Sequence, residues 1–209
     1  MQEAKNVVQA GIAVEPDSAD LHYYLGNLHH EARELDAAVK SFQKASALQP
    51  DYAPAHQSLA IVLQMSGKLD AAIDSYRRAI TLAPDAVDLH SNLGTALQAQ
   101  GKLDAAAAAY RRALELRPDH AHAHCRLASV LHAQGRFDAA EESYVDALES
   151  NPSFVEALVG LSETLQVQGR SNEAVSRLEQ AVLLQPNEPS KHSLLAAALV
   201  GALCSTIGV

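Results

Sequence analysis

The chain of 209 residues has no tryptophan and only six tyrosines and three phenylalanines. Valine, isoleucine and threonine are modest in number beside alanine and leucine. A β-sandwich draws on aromatic and β-branched residues, so the composition points instead to an all-α fold. The two cysteines, Cys125 and Cys204, stand far apart and lack CxxC spacing. Neither a disulfide framework nor a cysteine zinc site is indicated, and a reducing cytoplasm fits. Positive charge is also short. A formal net charge of −9 argues against nucleic-acid binding, which needs a basic surface to neutralise phosphates.

The N-terminal stretch MQEAKNVVQAGIAVEPD carries Glu3 and Lys5 where an export signal would show a basic start and an unbroken apolar core, so none is read. The apolar run at 194–204 is shorter than the roughly 18 residues of a membrane span and reads as a terminal helix. Missing too are GxSxG, HExxH and a phosphate-binding glycine loop.

What is present is a period. Asp36-Ala37-Ala38, Asp70-Ala71-Ala72, Asp104-Ala105-Ala106 and Asp138-Ala139-Ala140 recur every 34 residues. Counting blocks from Ala19 gives five full repeats, 19–52, 53–86, 87–120, 121–154 and 155–188. Residues 1–16 read as the second half of an incomplete repeat, and 189–209 as the first helix of an incomplete sixth repeat with a tail. Positions within a block are called columns here, Ala19 being column one. Pro16, Pro50, Pro84, Pro118, Pro152 and Pro186 share a column. The residues after them, Asp17, Asp51, Asp85, Asp119, Ser153 and Asn187, are expected to cap helices, with Ser153 and Glu156 forming a capping box. Gly67, Gly101, Gly135 and Gly169 are expected to end the first helix of each block in a left-handed turn, where Arg33 is the exception.

Each block holds two helical periods. Columns four, seven, eight and eleven form one face of the first, with Leu25, Leu59, Leu93, Leu127, Leu161 and Leu195 in column seven and small residues in column eight. The second carries Ala38, Ala72, Ala106, Ala140 and Ala174, then Phe42, Tyr76, Tyr110, Tyr144 and Leu178, then a further alanine three residues on. Small residues let two helices approach while the large one fills the gap.

This pattern of Leu-Gly, a further large residue, Ala, an aromatic, Ala and Pro resembles the tetratricopeptide repeat (TPR), and the blocks "SNLG", "GKLDAA" and "YRRALEL" are similar to bacterial arrays such as the repeat arms of O-linked N-acetylglucosamine transferase-like proteins. The resemblance implies antiparallel helix pairs stacked into a right-handed superhelical solenoid, with first helices lining a concave groove. Stacking makes the core continuous, because no pair can bury its apolar face alone.

In that frame the run "HAHAHC" at 120–125 loses its appearance of a metal site. His124 shares column four with His22, His56, His90 and His192, and Leu158 is the one departure. Such a ring is expected to pack on the next helix and turn a nitrogen to solvent or a backbone group. His120, His122 and His124, two residues apart, point around the helix in steps of about 200° and cannot converge on one ion. No metal or cofactor is expected.

Columns two, five, nine and twelve lie opposite the packing face and are expected to line the groove, Asn27 among them. Column twelve reads His30, Gln64, Gln98, His132 and Gln166, a ladder of donors and acceptors suited to an extended peptide. Asn92, His122 and Arg126 add a positive, donor-rich spot that partly resembles the carboxylate clamp of chaperone-binding TPR domains, although Gln57 and Ile61 replace its first two residues and His122 a lysine. Only Asn92 matches the asparagine ladder of O-linked N-acetylglucosamine transferases, the other places being Tyr24, Ser58, Arg126 and Gly160. On the second helices, Arg77-Arg78 and Arg111-Arg112 form a basic stripe.

The expectation is therefore a non-catalytic scaffold that holds a peptide or partner segment in its groove, with an acidic residue or C-terminal carboxylate near Arg126. The alternative is a substrate-recognition arm of a glycosyltransferase, sulfotransferase or methyltransferase whose catalytic domain lies elsewhere. Leucines of the last helix, Leu194 and Leu203 among them, are expected to stay partly exposed and to promote self-association, while Leu195, Ala196 and Leu199 face the fifth pair.

Overall fold

The computed structural model describes residues 2–207, the side chains of 201 and 203–207 excepted. Every regular element described is an α-helix. The chain divides into two compact units, Met1–Lys102 and Leu103–Val209. The first holds α1 (Gln2–Val14), α2 (Ala19–Glu31), α3 (Leu35–Leu48), α4 (Ala53–Met65), α5 (Leu69–Leu82) and α6 (Val87–Ala99). The second holds α7 (Leu103–Leu116), α8 (Ala121–Ala133), α9 (Phe137–Ser150), α10 (Val155–Val167), α11 (Ser171–Leu184) and α12 (Pro189–Ile207).

The left-handed turns are where the glycines predict them. Gly67, Gly101, Gly135 and Gly169 have φ of 72°, 74°, 73° and 78°, and Arg33 adopts 61° in the same place. Each closes a Schellman motif: Gly135 N donates to His132 O and Arg136 N to Leu131 O, both at 2.9 Å. Two carbonyls at the end of the helix are thereby satisfied while the chain reverses.

The caps differ from expectation. Each proline and the residue after it are the two central residues of a β-turn, closed by Tyr52 N to Gln49 O at 3.1 Å and by Phe154 N to Asn151 O at 3.1 Å, for example. The turn takes up the Asp, and the helix starts two residues after it. The cap falls on Ser18, Tyr52, Ala86, His120 and Phe154. Ser18 Oγ accepts from Leu21 N, and His120 Nδ1 accepts from Ala123 N. Ser153 forms no capping box; its N and Oγ both donate to Asn151 Oδ1.

Packing follows the columns. Ala38, Phe42 and Ala45 are inaccessible, as are Ala72, Ala79, Ala106, Tyr110 and Ala113. A Cβ added to Gly26 would lie 2.6 Å from the Phe42 ring, so the glycine is required for this approach. In the second unit Cys125, Ala128, Tyr144, Ala147, Leu161, Leu165 and Ala174 share one core cluster. Helix α12 turns Ala198 inward and leaves Ala196 and Leu199 exposed, contrary to the expected face. The reason lies in the columns: eight and eleven are covered in other pairs by the second helix of the same pair, and α12 has none among the described residues. The Leu194 side chain is exposed as expected, whereas the side chains of Leu203 and Cys204 lie outside those described.

Polar rungs join successive blocks. Gln100, Gln134 and Gln168 donate through Nε2 to Asp70, Asp104 and Asp138 of the preceding block at 2.8, 2.8 and 2.9 Å. This gives the recurring aspartate of the Asp-Ala-Ala signature its role. Arg170 grips Glu141 at 2.7 Å, and the same two columns at the other end carry the reversed pair, Lys5 Nζ to Glu34 Oε2 at 2.6 Å. Lys5 is buried, and His29 Nδ1 also reaches Glu34. The Lys5 hydrogen bond first, then that of His29, lowers the Glu34 pKa.

Gly135→Ala should destabilise the protein by roughly 1–2 kcal/mol, the cost of a Cβ in the left-handed region, and Arg33→Gly should stabilise it; urea titrations would show both. Because the Glu34 pKa is depressed by folding, its contribution is present above the ordinary carboxylate value of 4.5 and is lost as pH falls through the lower folded value. Glu34→Gln should therefore release α1 in amide exchange at neutral pH, and the difference from wild type should fade with acidification.

Candidate functional site

A groove of about 470 Å³ lies in the second unit between α8, α10 and α12. From α8 it receives His122, Cys125, Arg126 and Ser129. From α10 come Glu156, Val159, Gly160 and Glu163, and from α12 Ser190, Lys191 and Leu194. Helices α8 and α10 both contribute columns two, five, six and nine, which a 3.6-residue period places on one face, and α10 adds Val155 from its first turn.

Its floor depends on a glycine. A Cβ at Gly160 would collide with Tyr144 Cζ and Oη, so only glycine lets the Tyr144 ring reach the groove from α9. Burial pushes the Tyr144 phenol up, against a smaller opposing effect from its hydrogen bond with Ser129. Burial also pushes the Cys125 thiol up to about 11. The thiol therefore stays protonated at neutral pH and behaves as a small apolar group. Around this floor stand Arg126 and Lys191, and opposite in sign Glu156 and Glu163. None of these four makes an ion pair with the others among the described residues.

The residues singled out in the sequence divide sharply. His122 and Arg126 are exposed and line this groove, the His122 ring lying 4.7 Å from that of Phe154. Asn92 is half-buried on α6 in the first unit and is not part of the lining, as are Asn27 on α2 and Gln98 on α6. Much of column twelve is engaged inside the protein. His30 Nε2 lies 3.3 Å from Met65 Sδ, Tyr76 Oη donates to Gln64 Oε1 at 3.0 Å, and His132 Nδ1 meets Thr164 Oγ1 at 2.9 Å. Gln166 is exposed. Glu156 and Glu163, overlooked in the sequence, sit in columns two and nine, the columns expected to line a groove, and they balance the expected positive spot.

The column-four histidines do turn a nitrogen to the backbone. His22, His56, His90 and His124 place Nε2 at 3.0, 3.1, 2.8 and 2.7 Å from the carbonyl oxygens of Pro16, Pro50, Pro84 and Pro118. A carbonyl only accepts, so Nε2 carries the proton in each. His124 Nδ1 faces Asp146 at 3.6 Å. In the "HAHAHC" run, then, His120 caps a helix, His124 ties its start to the preceding turn, and His122 lies beside Phe154. Among the described residues no cluster of three or more His, Cys, Asp or Glu could hold a metal ion. Likewise no helix among them is long and apolar enough to cross a membrane.

Helix pairs of this length, with a left-handed turn inside each pair and a proline turn between pairs, define the tetratricopeptide class. Family models described as tetratricopeptide repeat match residues 2–53 with 91–153 and residues 131–198, and one described as TPR repeat matches 65–101. The chain belongs to the tetratricopeptide repeat family, and its fold is an all-α TPR solenoid.

No curated protein matches the chain in sequence. Among solved structures it is similar to YrrB, a TPR protein with an unusual peptide-binding site, at 23% identity and a TM-score of 0.75 over 93% of this chain and 98% of that one. MamA is similar at 22% identity and a TM-score of 0.74, over 82% and 94% of the two chains. Yeast Tom70 matches at 20% identity and a TM-score of 0.73, over 99% of this chain but 44% of its own.

Dialysed protein should carry no stoichiometric zinc, and a chelator should leave its melting temperature unchanged. Elemental analysis that finds one tightly held zinc per chain would contradict the hydrogen-bonding roles assigned to His120 and His124.

Proposed function

We propose that the chain is a non-catalytic protein-interaction scaffold whose second unit holds an extended peptide segment in the groove between α8, α10 and α12. One observation carries the reading: two cationic and two anionic side chains ring an apolar floor without pairing among themselves. Charged groups on a simple solvated surface commonly find helix neighbours, as Arg112 does with Glu115 and Arg77 with Asp74. Here they stand ready for a partner. An acidic side chain or C-terminal carboxylate would meet Arg126, a basic residue would meet Glu163, and a small apolar residue would sit on Tyr144 and Val159. Each charge-assisted contact contributes roughly 1.5–3 kcal/mol, so two with backbone contacts support micromolar affinity. A cytoplasmic setting belongs to the same reading and is supported by the buried free thiol of Cys125.

The test is an immobilised decapeptide library followed by calorimetry of a selected peptide. Arg126→Glu should weaken binding at least tenfold and leave the melting temperature unchanged, since Arg126 is exposed. Arg111→Glu, on the outer stripe, should bind as wild type does. Equal affinities for wild type and Arg126→Glu would move the interaction away from the groove. The exposed apolar residues Leu199 and Val200 of α12, which are not part of the groove lining, further support self-association through that helix.

A further inference from the structure

Three departures from the repeat pattern meet at one place. Column four is histidine in every first helix except α10, where it is Leu158. Column twenty-five is polar at Gln43, Arg77, Arg111 and Glu179 but is Val145 on α9. Column twenty-three is small at Ser41, Ser75, Ala109 and Ser143 and becomes Arg177 on α11. Val145, Leu158 and Arg177 all line one pocket of about 260 Å³ between α9, α10 and α11, which shares no residue with the groove described above.

The preceding block shows what this place ordinarily holds. There Pro118, His124 and Asp146 stand together, the His124 ring donating from Nε2 to the Pro118 carbonyl at 2.7 Å and turning Nδ1 to Asp146. Pro152, Leu158 and Gln180 occupy the same three columns, and all three line the pocket. Leu158 has no side-chain donor, and no described residue supplies one to the Pro152 carbonyl. An occupant that covers this carbonyl must bring its own donor, because a buried acceptor left unpaired is costly. Leu148 and Leu161 join Val145 and Leu158 in an apolar surface, of which Val145 is 37% exposed. The place therefore suits a ring with a more apolar body than imidazole and a single N–H, and the guanidinium of Arg177 adds a cation to face it.

We propose that this pocket receives the indole of a tryptophan carried by a basic segment of another protein. The ring N–H takes the role that the histidine N–H has in the other blocks, and the rest of the indole covers Val145 and Leu158. The segment is basic because Val145 also borders a surface of Asp138, Glu141, Glu142 and Asp146, with Glu149 on the pocket's own edge. Helix α9 carries no lysine or arginine to offset them. The tryptophan belongs to another protein because this chain has none.

The same absence supplies the readout, since tryptophan emission reports on the ligand alone. The emission of the peptide acetyl-Lys-Lys-Trp-Lys-Lys-amide should shift to shorter wavelength and saturate as the chain is added. The same peptide with benzothienylalanine, in which sulfur replaces the ring N–H, should compete roughly fivefold more weakly or worse. Leu158→His restores the histidine that reaches the proline carbonyl elsewhere, and should weaken binding about tenfold or more. Val145→Gln places at an exposed position the residue that Gln43 supplies in the same column, so it should leave melting unchanged while weakening binding roughly fivefold. An emission that never shifts would overturn the inference, and so would equal competition by the two peptides. Undiminished binding to Val145→Gln would overturn it as well, whether or not Leu158→His folds.

Discussion

No helix pair in this chain can bury its own apolar surface, and the remainder of the structure is an accommodation to that constraint. The alanines of columns twenty and twenty-seven are inaccessible because a neighbouring helix lies directly against each of them, and one large side chain per second helix fills the gap that small residues leave. Close approach fixes where the backbone must reverse. The left-handed residue and the proline turn place the reversals at the same phase, so the same columns meet in the pairs within each unit.

Close packing also decides which polar groups remain available. Column twelve looks like a ladder of free amides and imidazoles when its members are counted along the chain. In the folded protein Gln64 is taken by Tyr76 and His132 by Thr164, partners on other helices. In α8 and α10 the charged residues of columns two, six and nine are exposed. Their charges, Arg126, Glu156 and Glu163, are left to the groove.

The period, the left-handed turns and the histidine column are legible in the sequence because each depends on local spacing. The caps are not, because proline followed by aspartate suits both a helix start and a β-turn, and only the hydrogen bond closing the turn distinguishes them. The α12 face is misread for a related reason: the columns say which residues are apolar but not which of the two neighbours covers them. The Gly160 opening is visible as a glycine, yet its meaning depends on Tyr144, sixteen positions earlier and on another helix.

The rungs between blocks have a consequence for how such a chain changes over generations. Each glutamine reaches an aspartate 30 residues back, and each column-four histidine a proline carbonyl six residues back. Every such bond therefore closes within a block or between a block and its predecessor. An in-frame duplication of 34 residues would bring its own donor for the block before and its own acceptor for the block after, so that no rung loses its partner, and an in-frame deletion would rejoin matching halves. Array length is thus free to drift by whole units, whereas the loss of a single residue inside a helix would put every downstream column out of phase.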